Sequence, residues 1–281
     1  MRIKKILQYY PATCYFILAF FISWLGAFLL VAQKLIYGKP ISKSDGILMF
    51  PIMLMGPFFS GIILTRIVDG KEGLQQLFSK MKNLHFSFKW FIPLLLPPTL
   101  VLLVLLVLSR FISPAYSPNF FVLGIAFGIP AGFFEEVGWT GFAFPRMSLK
   151  NSHLNAAIFL GLLWGLWHLP AIDFLGAASP HGRYLLLFFL SFVLVMSAIR
   201  ILISWLYSNT NSILLAQLMH ISSTGFLVMF SPSVNISPRQ ETLWYTIYGT
   251  VLWLSVFFVV KKFGKQLTRP QVDDLVNQPK L

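Results

Sequence analysis

Charge is scarce in this sequence, and acid is scarcer still. Of its 281 residues only 11% are Asp, Glu, Lys or Arg, and only nine are acidic. A soluble globular domain carries about 25% charged residues, so the shortfall argues against one. Cysteine is nearly absent: Cys14 stands alone, which excludes an internal disulfide and any cysteine-based metal cage. It reads as a small apolar residue opening the first span. Period-two alternation is too poor for a barrel, and we find no internal repeat of the kind an inverted-repeat transporter shows. What is abundant is apolar surface, at 57% hydrophobic and 16% aromatic residues with a mean hydropathy of +0.74. Windows of about 20 apolar residues recur, each long enough to cross a hydrocarbon core as a helix. The expected fold is therefore all-α, that of a multi-pass protein of the cell membrane.

Eight spans are expected, near residues 13–33, 46–68, 90–110, 119–145, 154–175, 184–207, 211–231 and 242–261. The opening "MRIKKILQYYPATCYFILAFF" is basic, but no small-residue cleavage pattern follows, so it reads as an uncleaved first span. The fourth span is interrupted by Pro130 and several glycines, a feature that accompanies cavities in membrane helices. Basic residues outnumber acidic ones by 22 to 9. In a soluble chain that excess points to nucleic acid; here the positive-inside rule and anionic lipid account for it, and no nucleic-acid partner is expected. With both termini cytoplasmic, fifteen Lys and Arg fall inside and six outside, and Arg200 is left in the sixth span, expected to snorkel to the inner surface. Leu74, Leu77, Phe78 and Met81 recur at helical spacing with lysines opposite, as in an amphipathic helix on the inner leaflet. The chain reads as one membrane domain, 1–281, whose polar tail, 262–281, is expected to be mobile.

Against this background four ionisable side chains stand out: Glu135 and Glu136 in "GFFEEVGWTGF", His168 in "LGLLWGLWHLP" and His220 in "LLAQLMHISSTG". Each is unfavourable inside a membrane by about 2.5 to 3.5 kcal/mol on insertion scales. Counted from the inner loops at 1.5 Å per residue, they lie at depths of roughly 14 to 22 Å, so three helices can deliver them to one layer. A lone buried His more often bonds helix to helix; two histidines and two glutamates at one depth suit hydrolysis. Adjacent helix positions are about 100° apart, so the two glutamates need different roles. Together without a cation, both would resist ionising. We assign Glu135 the base and Glu136 the supporting hydrogen bonds, a choice the residues alone do not force. Trp139, Trp164 and Trp167 read as packing or pocket lining, Asp173 as a solvated helix end, and His85, His153 and His181 as loop residues.

These motifs resemble the CAAX protease and bacteriocin-processing (ABI, type II CAAX prenyl protease-like) family of intramembrane endopeptidases. "EEVGWT" (Glu135 to Thr140) is similar to its double-glutamate motif, "WGLWH" (Trp164 to His168) to its aromatic–His motif, and "HISST" (His220 to Thr224) to its last His motif. The likeness runs from about residue 119 to 230, the expected catalytic core. It implies that Glu135 activates water for attack on a peptide bond, that His168 and His220 complete the site, and that the partner is a membrane-associated peptide or protein. Trp164, Thr224 and Thr140 are supporting positions. Trp164 stands where the family has Phe, Thr140 where it has Arg and Thr224 where it has Asn, so Glu136 lacks its local cation and position 224 lacks amide donors. The metal-free reading is preferred because the usual His–Glu zinc spacing is absent, and Zn²⁺ held by Glu135, His168 and His220 is the metal alternative. A non-catalytic membrane binding or bacteriocin-immunity protein on the same fold is the alternative function.

Overall fold

The computed structural model describes residues 2–174, 181–232 and 236–268. Each expected span contains helix among the described residues. A short α1 (Arg2–Tyr9) precedes α2 (Pro11–Ile36) and α3 (Lys43–Val68); α4 (Gly70–Met81) leads through a 3₁₀ segment, Phe88–Leu95, into α5 (Leu96–Phe111). Then come α6 (Gly124–Gly138), a π-helical turn Trp139–Ala143, α7 (Phe144–Ser148), α8 (His153–Trp167), α9 (Leu185–Thr210), α10 (Ile213–Phe230) and α11 (Pro238–Phe263). Among the described residues seven helical segments are long and apolar enough to cross a membrane.

The fourth expected span is the one that differs. Residues 119–123 are not helical: Asn119 and Phe121 donate backbone bonds to Phe230 and Met229, and Pro118 bridges to Pro232. The helical path of residues 124–148 then consists of α6, the π turn and α7, of which α6 alone is only about 22 Å long. A wide turn of this kind is typical beside functional groups, and here it follows the two glutamates directly. The tail beyond residue 268 and the Asp173 side chain lie outside the described residues.

Serine fixes where several helices begin. Ser42 and Ser237 form capping boxes with Asp45 and Gln240, and Ser152 and Ser212 accept from Asn155 and Leu215, satisfying backbone donors that lipid cannot. Asn211, left-handed at φ 50°, ends α9 and lets α10 turn straight back. The expected amphipathic helix is α4, but it does more than lie on a leaflet. Leu77 is buried and its side chain meets Gly141 of the π turn, whereas Phe78 stays 43% exposed.

Glycine sets the closeness of two antiparallel helix pairs. On α6, Gly124, Gly128 and Gly132 face Met229, Gly225 and the Gln217–Ile221 stretch of α10; a Cβ at Gly132 would lie 2.6 Å from the Gln217 carbonyl oxygen. On α8, a Cβ at Gly161 would lie 2.7 Å from Ser197 Cα of α9 and 3.2 Å from Arg200 Cβ. Small residues at four-residue spacing let membrane helices meet backbone to backbone. The next position of the α6 stripe is Glu136, so the packing itself carries that carboxylate to α10. Gly132→Ala should therefore force the pair apart and destabilise the protein by about 1 to 3 kcal/mol, read as a lowered unfolding midpoint in detergent; an unchanged midpoint would refute the close approach.

Candidate active site

Glu135 and Glu136 leave the end of α6 in different directions and are both buried, 2% and 0% exposed. Glu135 turns to indoles: its Oε2 accepts from Trp139 Nε1 at 3.0 Å and Trp164 Nε1 at 2.7 Å. Its Oε1 has no protein donor among the described residues. Glu136 turns to α9 and α10. Its Oε1 accepts from Arg200 Nη2 at 2.8 Å and His220 Nδ1 at 2.7 Å, and its Oε2 from Arg200 Nη1 at 2.8 Å and from the Thr140 hydroxyl. Two adjacent acids thus have opposite circumstances: four donors occupy Glu136, and one oxygen of Glu135 stays free.

Both histidines are held through Nδ1. His168 sits at the C-terminal end of α8, half-buried, with Nδ1 2.8 Å from the Trp164 carbonyl oxygen. A carbonyl only accepts, so Nδ1 carries the proton and Nε2 is the nitrogen left over. His220 is buried, and its Nδ1 likewise donates to an acceptor, the Glu136 carboxylate. The Trp164 ring touches both imidazoles edge-on, with centroids 5.4 Å from His168 and 5.0 Å from His220, and lies 4.5 Å from the Arg200 guanidinium carbon. Trp167 and Phe192 close the remaining sides of His168.

Several expectations need correction. Arg200 does not snorkel to the inner surface; it is fully buried and supplies the cation that Thr140 lacks. Trp139 and Trp164 are not packing alone, since both donate to Glu135. Thr140 bonds Glu136 and lies 3.5 Å from Arg200 Nη1. Thr224, half-buried one turn beyond His220, makes no hydrogen bond to the four central residues among those described. His153 opens α8 and bonds Ser208 at 3.0 Å, and His181 is buried, 3.2 Å from Glu241 and stacked on Phe188; neither touches the site. Arg200 could have been found from sequence, as an arginine ten residues inside the end of an apolar helix demands a buried partner.

A zinc ion needs three or more convergent donors with an open position. Among the described residues no group of three or more His, Cys, Asp or Glu is arranged to hold a metal.

Comparison with known proteins meets this geometry in the same stretch of the chain. Residues 117–226 match the family model described as type II CAAX prenyl endopeptidase Rce1-like. The chain is also 29% identical over 240 residues to CAAX prenyl protease 2 of Methanococcus maripaludis, an alignment covering 78% of this chain and 82% of the relative. Both show the resemblance that the motifs carry. The matched segment contains Glu135, Glu136, His168, Arg200 and His220.

The unequal surroundings of the two acids predict unequal stability effects. Glu136→Gln leaves Arg200 buried without its counter-charge and should destabilise by about 3 to 5 kcal/mol. Glu135→Gln keeps an acceptor for the two indoles and should stay within about 1 kcal/mol of wild type. Parallel unfolding curves of the two variants in detergent check this; equal losses would contradict the arrangement.

Proposed function

We propose, from the resemblance to type II CAAX prenyl endopeptidases and the site just described, that this multi-pass membrane protein is an intramembrane endopeptidase that uses Glu135 to activate water. One observation carries the reading: of two neighbouring buried carboxylates, only Glu135 keeps an oxygen free of protein donors. A water between Glu135 Oε1 and His168 Nε2 can give a proton to the carboxylate while the imidazole accepts its other O–H. Its oxygen then attacks the scissile carbonyl carbon, and the negative charge passes to the carbonyl oxygen. A donor from the Thr224 hydroxyl stabilises that oxyanion. As the C–N bond breaks, the proton held by Glu135 passes to the leaving nitrogen, and acid and amine are released. The Trp139, Trp164 and Trp167 indoles beside Glu135 and His168 help exclude bulk water, which strengthens each of these interactions.

The substrate class follows from the surroundings. A scissile bond must reach a site enclosed by helices of lipid-crossing length, which favours a membrane-associated peptide, a prenylated one by analogy with the named relative. The charge asymmetry supports both termini and α4 on the cytoplasmic side. The non-catalytic binding alternative drew its support from Thr140 and Thr224. The structure weakens the first of these, because Arg200 provides Glu136 with a cation from another helix.

In lipid nanodiscs the protein should cleave a farnesylated peptide ending in a CAAX sequence, detected by mass spectrometry. Glu135→Gln should slow this by about 10² to 10⁴-fold; undiminished cleavage would refute the base assignment. Hydrolysis should also survive exhaustive chelation, and a loss restored by added Zn²⁺ would overturn the metal-free mechanism.

A further inference from the structure

Arg200 makes no hydrogen bond to Glu135 or His168, yet it governs both side chains that border them. Its guanidinium meets Glu136 with two parallel bonds of 2.8 Å. A fork of this kind fixes the carboxylate plane, which a point charge such as an ammonium cannot do. With the plane fixed, Glu136 Oε1 receives His220 Nδ1 at 2.7 Å, and that bond selects the Nδ1–H form and leaves Nε2 as the free nitrogen. The guanidinium carbon lies 4.5 Å from the Trp164 ring, and the same indole donates to Glu135. Arg200 thereby acts on the base through one neighbour and on an imidazole through another. Position 140 looks toward the same place: the Thr140 hydroxyl bonds Glu136 Oε2 and lies 3.5 Å from Arg200 Nη1.

We infer that Arg200 is a positioning residue of the active site, locking Glu136 and through it the tautomer and orientation of His220, and that a cation at position 140 can take over this task. The inference rests on the proteolytic reading for its kinetic consequence, but its structural consequence is independent of it. The experiment uses the full chain in lipid nanodiscs with ¹⁵N-labelled histidine, comparing wild type, Arg200→Met, Arg200→Lys and the double variant Arg200→Met with Thr140→Arg. In wild type the His220 ¹⁵N shifts should report Nδ1–H. Arg200→Met should mix the two tautomers and lower kcat on the farnesylated peptide roughly 10²-fold, with KM within about threefold. Arg200→Lys, which keeps charge without the fork, should remain impaired, and Thr140→Arg should restore about tenfold of the loss in Arg200→Met. An unchanged His220 tautomer together with kcat within about threefold of wild type in a folded Arg200 variant overturns the inference. A folded double variant without recovery overturns the role given to position 140. If Arg200→Met fails to fold, Arg200→Lys decides by the same two measurements. If wild type cleaves no peptide while Arg200 variants still shift the His220 tautomer, the positioning inference stands and the proteolytic reading falls.

Discussion

Opposite charges taken out of water into a helical bundle face a desolvation penalty of several kcal/mol per ion, and only excellent geometry offsets it. Glu136 and Arg200 meet that condition with two parallel bonds, both side chains fully buried, and with His220 and Thr140 completing the carboxylate. The pair joins α6 to α9, His220 adds α10, and Trp164, beside the guanidinium, adds α8. Four helices are thus tied by one ionic centre. Glu135 differs from its neighbour because it faces away from that centre: two indoles hold one of its oxygens, and no cation competes for the other.

The centre is reachable only because backbones come close. Gly124, Gly128 and Gly132 bring α6 against α10, and Gly161 brings α8 against α9 at the level of Arg200. Larger residues would separate the helices by more than the reach of a 2.7 to 2.8 Å hydrogen bond. Small residues in membrane interiors exchange side-chain area for backbone proximity; here the proximity positions chemistry as well as packing. The π turn contributes at its own end, where Trp139 and Thr140 reach back one turn to Glu135 and Glu136 respectively.

What could be read from sequence was what depends on length, hydropathy and sparse polar groups. The spans follow from apolar windows, and Glu135, Glu136, His168 and His220 stood out because ionisable groups are rare inside lipid-crossing helices. Position 140 could be seen to lack a cation and Arg200 to need a buried partner, but not that each need meets the other, since Arg200 lies 64 residues from Glu136 and no local spacing links them. Trp164 was legible as an aromatic but not as a donor, because an indole N–H shows its partner only when neighbouring helices are in place. The break at residues 119–123 was hidden for a similar reason: the segment is apolar enough to be helix, and its backbone bonds to Phe230 and Met229 depend on α10.

The separation between Glu136 and Arg200 also has a meaning in time. A chain made at about 5 to 20 residues per second delivers α6 roughly 3 to 13 s before the middle of α9. During that interval Glu136 has no guanidinium to face, and α6 is not among the seven segments, of those described, that are long and apolar enough to cross a membrane. The ionic centre is therefore completed late in biosynthesis, and a nascent chain cut short of α9 holds Glu136 without its guanidinium partner.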